Sequence, residues 1–300
     1  MKQKFLAFLL AGTMALGLAA CGTSTQTSTE DTPPAQTSTD TSQAATEPPE
    51  NIKATIENTV LVEQDGIVIT AQEMVEDEIF GTGVKLLIEN QSSENQTIGC
   101  DYAIVNDFMM TSLLFSADVA AGKKANETLY FSDSVMRGAD ITTIADMHFV
   151  FFSLDPNTYE RKFTTQEVSL STSASGKYEQ PIPADGQELY NQNGIRIVGR
   201  YVDEDDFLGT SVVLFIQNTS DTDIVISCDN MSINGFMVTP YLSALVNSGK
   251  MSLSNITILS SDLEQNGIEK VTDIDLTFKG LNPETYQTIF ETDAITFSTT

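Results

Sequence analysis

Gly81-Thr82-Gly83-Val84-Lys85-Leu86-Leu87-Ile88-Glu89-Asn90-Gln91-Ser92 returns 128 residues later as Gly209-Thr210-Ser211-Val212-Val213-Leu214-Phe215-Ile216-Gln217-Asn218-Thr219-Ser220. In the first copy Val84, Leu86 and Ile88 alternate with Lys85, Leu87 and Glu89, and Val212, Leu214 and Ile216 keep the same places in the second. A period of two sends alternate side chains to opposite faces, so each stretch reads as a strand with one buried face.

Outward from this strand the correspondence continues. The same offset pairs Gly66-Ile67 with Gly194-Ile195, Cys100-Asp101 with Cys228-Asp229, and Phe108-Met109 with Phe236-Met237. One residue is then lost. Gly122-Lys123 matches Gly249-Lys250 at an offset of 127, which carries Pro156, Tyr159 and Phe163 onto Pro283, Tyr286 and Phe290. A single one-residue gap over a whole unit marks a duplication. Period two recurs at Ile195 and Ile197, at Met147, Phe149 and Phe151, and at Ile274, Leu276 and Phe278. Asp65-Gly66, Asn193-Gly194 and Asn234-Gly235 suit tight hairpins, which need positive φ. Ser261 with Glu264 predicts a capping box on one helical turn, closed by Gly267. The expected fold is all-β, with two tandem immunoglobulin-like β-sandwich domains at 51–175 and 188–300 and a linker at 176–187. An antiparallel barrel is the alternative.

The order of motifs is a Gly-Ile strand, a Gly strand ending in Asn, an Asn-Gly-Phe-Met hairpin, Gly-Lys, a helical Ser-Asp-Leu, Gly-Ile and an aliphatic strand. It resembles a domain of surface lipoproteins from clostridia-like bacteria. That domain has no assigned function and is similar to the immunoprotective extracellular immunoglobulin-like group. The resemblance implies the sandwich fold and transfers no catalytic residue. The first unit departs from it at Asp107, where the second has Gly235.

The amino terminus carries a different signal. Lys2 and Lys4 precede an apolar stretch from Phe5 to Ala20, and Leu18-Ala19-Ala20-Cys21 resembles the bacterial lipobox. The resemblance implies a lipoprotein signal peptide at 1–20 and a covalent diacylglycerol lipid on Cys21. The alternative is an ordinary signal peptide cut after Ala20. Residues 21–50 are rich in Ser, Thr and Pro, with almost nothing apolar to bury, and read as a disordered tether with a mean reach of ~30 Å. The expected location is the extracytoplasmic face of the cell membrane, at a Gram-positive surface, held in the lipid bilayer by the anchor.

Acids outnumber bases 42 to 15, a net charge of −27. Such a chain repels phosphate backbones, which argues against nucleic acid. One His and three Cys argue against His-rich metal sites. The sequence has no phosphate-binding loop, dinucleotide fingerprint or Gly-x-Ser-x-Gly elbow. His148 has Asp275 as its counterpart and reads as a solvent-facing strand residue. No enzyme and no cofactor is expected.

Four further features remain. Cys100 and Cys228, one per unit, read as small buried apolar groups. Glu76, Asp77 and Glu78 align with Glu204, Asp205 and Asp206; they are weak calcium candidates, because consecutive side chains point apart and the spacing of a calcium loop is absent. Phe108, Met109 and Met110, with Phe236, Met237 and Val238, read either as core or as an apolar tip that docks a partner. Tyr159 and Tyr286 suit the tyrosine corner of this architecture. The expected function is a non-enzymatic binding, adhesion or envelope-interaction module that contacts a surface or envelope protein. Small-ligand or calcium capture is the alternative.

Overall fold

A computed structural model of the chain describes residues 53–111, 113–206 and 209–298, with only the backbone of Asp205 and Asp206. The segment 1–20, Cys21 and the tether to residue 50 lie outside the described residues. The first repeat contains β1 (Thr59–Gln64), β2 (Ile67–Asp77), β3 (Gly81–Asn90), β4 (Gln96–Val105), β5 (Phe108–Met110), β6 (Ser116–Val119), β7 (Lys124–Tyr130), the short helix α1 (Asp133–Gly138), β8 (Asp146–Leu154), β9 (Arg161–Thr164) and β10 (Val168–Ser171). The second contains β11 (Gln187–Gln192), β12 (Ile195–Asp206), β13 (Gly209–Asn218), β14 (Ile224–Ile233), β15 (Phe236–Val238), β16 (Ser243–Val246), β17 (Met251–Leu259), α2 (Ser260–Gln265), β18 (Asp273–Leu281), β19 (Thr288–Glu291) and β20 (Ile295–Ser298). The order is the same throughout, and the lost residue falls in the loop before β16.

In the first repeat β1-β2-β3-β7 form one sheet. β4 and β8 are the centre of the other, with β10 and β9 on β8, and β5 and β6 on β4. The chain changes sheets between β3 and β4, returns between β6 and β7 and crosses again between β7 and β8, the crossings of an immunoglobulin-like sandwich. The second repeat follows the same plan, with β11-β12-β13-β17 opposite β14 and β18. The alternating residues fill each core. Val84, Leu86 and Ile88 join Ile98, Phe149 and Phe151 in one cluster, and Val212, Leu214 and Ile216 join Ile226, Leu276 and Phe278 in the other. Full burial of each such side chain contributes about 1.5–3 kcal/mol.

The Asp65-Gly66, Asn193-Gly194 and Asn234-Gly235 pairs all take positive φ. Asn106-Asp107 does the same at 48° and 67°, so the departure from glycine leaves the hairpin shape intact. The expected capping box is not formed. α2 begins at Ser260 with Leu259 at its N-cap and no side-chain cap, which places Ser261 inside the first turn. Its other end closes at Gly267 as the sequence predicts, where Gly267 N donates to Glu264 O at 3.1 Å and Ile268 N to Leu263 O at 2.9 Å.

The two sandwiches are joined edge to edge. β5 lies parallel to β17, pairing Phe108 with Met251 and Met109 with Ser252. One sheet therefore runs β10-β8-β4-β5-β17-β13-β12-β11 through both repeats. Val198, Phe215 and Met251 of the second repeat belong to the first repeat's apolar cluster.

Candidate functional site: the free hairpin edge of the second repeat

The β4–β5 hairpin is a docking element. Phe108 packs on Phe215, with ring centroids 6.2 Å apart. Asn247 N reaches Met109 Sδ at 3.0 Å, and Asn247 Nδ2 donates to Tyr102 Oη at 3.1 Å. Burial, opposed by that donated bond, raises the Tyr102 hydroxyl above its usual range. Lys250 Nζ pairs with Asp107 at 2.6 Å, and Met251 N donates to Asp107 O at 2.9 Å. α1 also meets β17, where a Cβ on Gly138 would come within 2.8 Å of Leu253 Cδ1. Arg200 ties the linker to α1. Its Nη1 donates to Gly138 O at 2.5 Å and its Nη2 to both Asp185 oxygens at 2.6 and 2.8 Å. That bond to Arg200 holds the Asp185 carboxyl below its usual range, against a smaller opposing effect of burial.

β15 is the same strand after the same turn, but no described strand covers its outer edge. Phe236 is 49% exposed and Met237 65%, whereas Phe108 and Met109 are 0% and 2% exposed. Tyr241, just beyond, is also exposed. Three of the residues that fasten β5 have no equivalents here. Asn230 stands for Tyr102, Ala120 for Asn247 and Gly235 for Asp107. The two readings of this motif are thus both realised, core in the first repeat and exposed tip in the second. Sequence reasoning did not separate them because the motifs are alike. The signal lay in the neighbour, since Met251, Leu253 and Phe215 stand where the first repeat has Lys124, Asn126 and Leu87.

Asp77 Oδ1 accepts from Ile79 N at 2.8 Å and Phe80 N at 3.0 Å, which lowers its carboxyl pKa and serves the β2–β3 turn. Glu76 and Glu78 flank it, exposed. Glu204 Oε1 accepts from Val271 N at 3.0 Å, and the side chains of Asp205 and Asp206 lie outside the described residues. Among the described residues no three His, Cys, Asp or Glu side chains gather as a metal site. An open cleft of about 880 Å³ lies between the end of β2 and the loop after α1, lined by Met74, Met136, Ile141 and Ile144. In the second repeat equivalent positions line two smaller clefts of about 570 and 210 Å³.

His148 Nδ1 meets Ser169 Oγ and Glu167 Oε1, both at 3.1 Å. The two approach one ring nitrogen, so no relay runs from hydroxyl through the ring to carboxylate, which needs opposite nitrogens. In the second repeat Thr296 Oγ1 donates to Asp275 at 2.7 Å instead. Cys100 and Cys228 are free and buried, and burial pushes both thiols up to about 12. Tyr159 and Tyr286 do not form the expected corner. Both rings are exposed, and their backbones are left-handed at 59° and 56°. No described helix is long and apolar enough to cross a membrane.

No family profile and no curated protein sequence matches the chain. Solved structures similar to it include the YadV chaperone, at 13% identity and a TM-score of 0.25, covering 77% of this chain and 99% of that one. The Salmonella enterica SafA pilin in complex with the SafB chaperone gives 8% identity and a TM-score of 0.22, covering 80% and 99%. A protein of unknown function from Porphyromonas gingivalis W83 gives 9% and 0.20, covering 72% and 89%.

Proposed function

We propose that the chain is a membrane-anchored extracytoplasmic lipoprotein whose tandem sandwiches act as a non-enzymatic interaction module, with the β15 edge as its contact surface. The observation that carries this reading is the exposure of Phe236 and Met237, where the same residues of the first repeat lie buried in a contact. The lipobox-like Leu18-Ala19-Ala20-Cys21 supports the anchor. Lipid rather than charge would hold so acidic a chain at an anionic surface. Cell fractionation of the full chain tests the anchor, with Cys21→Ala expected to move the protein from the membrane to the medium. Persistence on the membrane contradicts it. Retention of an envelope protein on the immobilised full chain tests the surface, with Met237→Asp expected to reduce retention at least tenfold. Equal retention contradicts it.

Small-ligand capture is a second reading, favoured by the cleft of the first repeat, where Met74, Met136, Ile141 and Ile144 share the lining with Lys53, Glu73 and Glu76, and by its counterparts in the second. Calcium is less favoured, because Asp77 and Glu204 already accept backbone amides.

A further inference from the structure

We propose that the β15 edge takes up a second copy of this chain, docking on the β7 edge of that copy, which no described strand covers, as β5 docks on β17 within one chain. This inference rests on reading β15 as a contact surface and names its partner.

The duplication supplies the argument. The internal junction joins two different surfaces, the β5 edge of the first repeat and the β17 edge of the second. Each surface was copied, so each has a twin in the other repeat. The twin of β5 is β15, with Phe236 and Met237 exposed. The twin of β17 is β7, the terminal strand of its sheet, hydrogen-bonded to β3 on its other side. A junction between unlike surfaces leaves one of each free after every addition, so it extends head to tail instead of closing a two-fold pair.

The internal register sets the expected one. Phe108 beside Met251 becomes Phe236 beside Lys124, and Met109 beside Ser252 becomes Met237 beside Ala125. Leu87, half-buried, takes the place of Phe215 beneath the aromatic ring. Lys123 keeps the place of Lys250, is exposed, and has no ion pair among the described residues. The intermolecular contact is weaker than the internal one. Gly235 gives Lys123 no carboxylate where Asp107 serves Lys250, and Lys124 and Asn126 replace Met251 and Leu253.

Cross-linking of the full chain tests the register. Ala125→Cys and Met237→Cys in one chain, oxidised in detergent, should give a ladder of dimers, trimers and longer species. With the Cys21 sulfur capped by its lipid, either change alone stops at dimers. Cys100 and Cys228 are buried in their native positions and should stay out of the exchange. Adding Phe236→Ser should remove most of the ladder. Gly235→Asp should enrich it several-fold by supplying the partner of Lys123; Asp107 already holds this turn at φ 67°, so the fold accepts the change. Absence of a ladder, or one indifferent to Phe236→Ser, overturns the proposal. Should Met237→Asp still abolish envelope retention when no ladder forms, the contact surface stands and the second copy is removed as its partner.

Discussion

β5 and β15 are the same three-residue strand after the same left-handed turn, and one is sealed while the other is open. The first repeat's Phe-Met-Met meets Phe215, Met251 and Leu253 of the second, and the second repeat's Phe-Met-Val meets no described strand on that edge. Duplication copied the plug and the socket together, and tandem fusion joined only one pair. Burial here belongs to the neighbour and not to the strand's own residues. The largest expected effect follows directly. Phe108→Ala should cost about 3–5 kcal/mol of stability, as truncation of a buried aromatic does. Phe236→Ala should stay within about 0.5 kcal/mol. Denaturant unfolding of the full chain measures both, and equal losses would break the comparison.

The opposite case is the asparagine that ends β3 and β13, where the repeats ought to agree. Asn90 Nδ2 donates to Glu94 O and Val119 O, both at 2.8 Å, while its Oδ1 accepts from Ser92 N at 3.0 Å. Asn218 makes the same bonds to Thr222 O, Val246 O and Ser220 N at 2.9, 2.9 and 3.0 Å. Both side chains are buried, so Ala at either place strands buried carbonyls and should cost about 1–3 kcal/mol. Matching losses from Asn90→Ala and Asn218→Ala would confine the asymmetry to the edges. Unequal losses would extend it into the cores.

What could be read in advance divides along the same line. The sandwich was legible because its cores are built from period-two strands and glycine turns, and both are local properties. Asn90 and Asn218 stood out as a repeated pair, though their role as clamps depends on carbonyls 29 and 28 residues away. The β5–β17 junction was not legible. It pairs only two residues, runs parallel and joins segments more than 140 residues apart, so it leaves no periodic trace. Tyr159 and Tyr286 misled for a related reason. They follow a proline turn as the architecture asks, but both rings stand exposed, and a corner depends on which backbone the ring can reach, which residue type does not encode. In the candidate site, the sequence supplied the residues and the structure decided which copy is exposed.

The smallest expected effect sharpens the comparison through two ion pairs of the second repeat. Arg196 bonds Glu188 at 2.9 Å within the β11–β12 hairpin, whereas Arg200 joins Asp185 of the linker to Gly138 of α1. Both carboxyls are held below their usual range, chiefly by the arginine bond. A depressed folded pKa means that the contribution is complete above the unfolded value and is lost as pH falls through the folded one. Each pair therefore helps at neutral pH and fades in acid, below the ordinary carboxylate range. Both acids are largely open to solvent, so screening keeps each effect small. Arg200 differs in one respect: its Nε is buried without a partner, which offsets part of what its other bonds contribute. Arg200→Gln should thus change overall stability little and flatten the acid limb slightly. Its distinct signature is faster hydrogen exchange at the β5–β17 amides, because the tie from linker to α1 holds that junction shut. Arg196→Gln should flatten the acid limb as well and leave those amides alone. Equal exchange in the two variants would mean that β5 is held by its apolar contacts without help from the linker. The open edge at β15 would then lack only an apolar neighbour, and not a clamp, to become its twin.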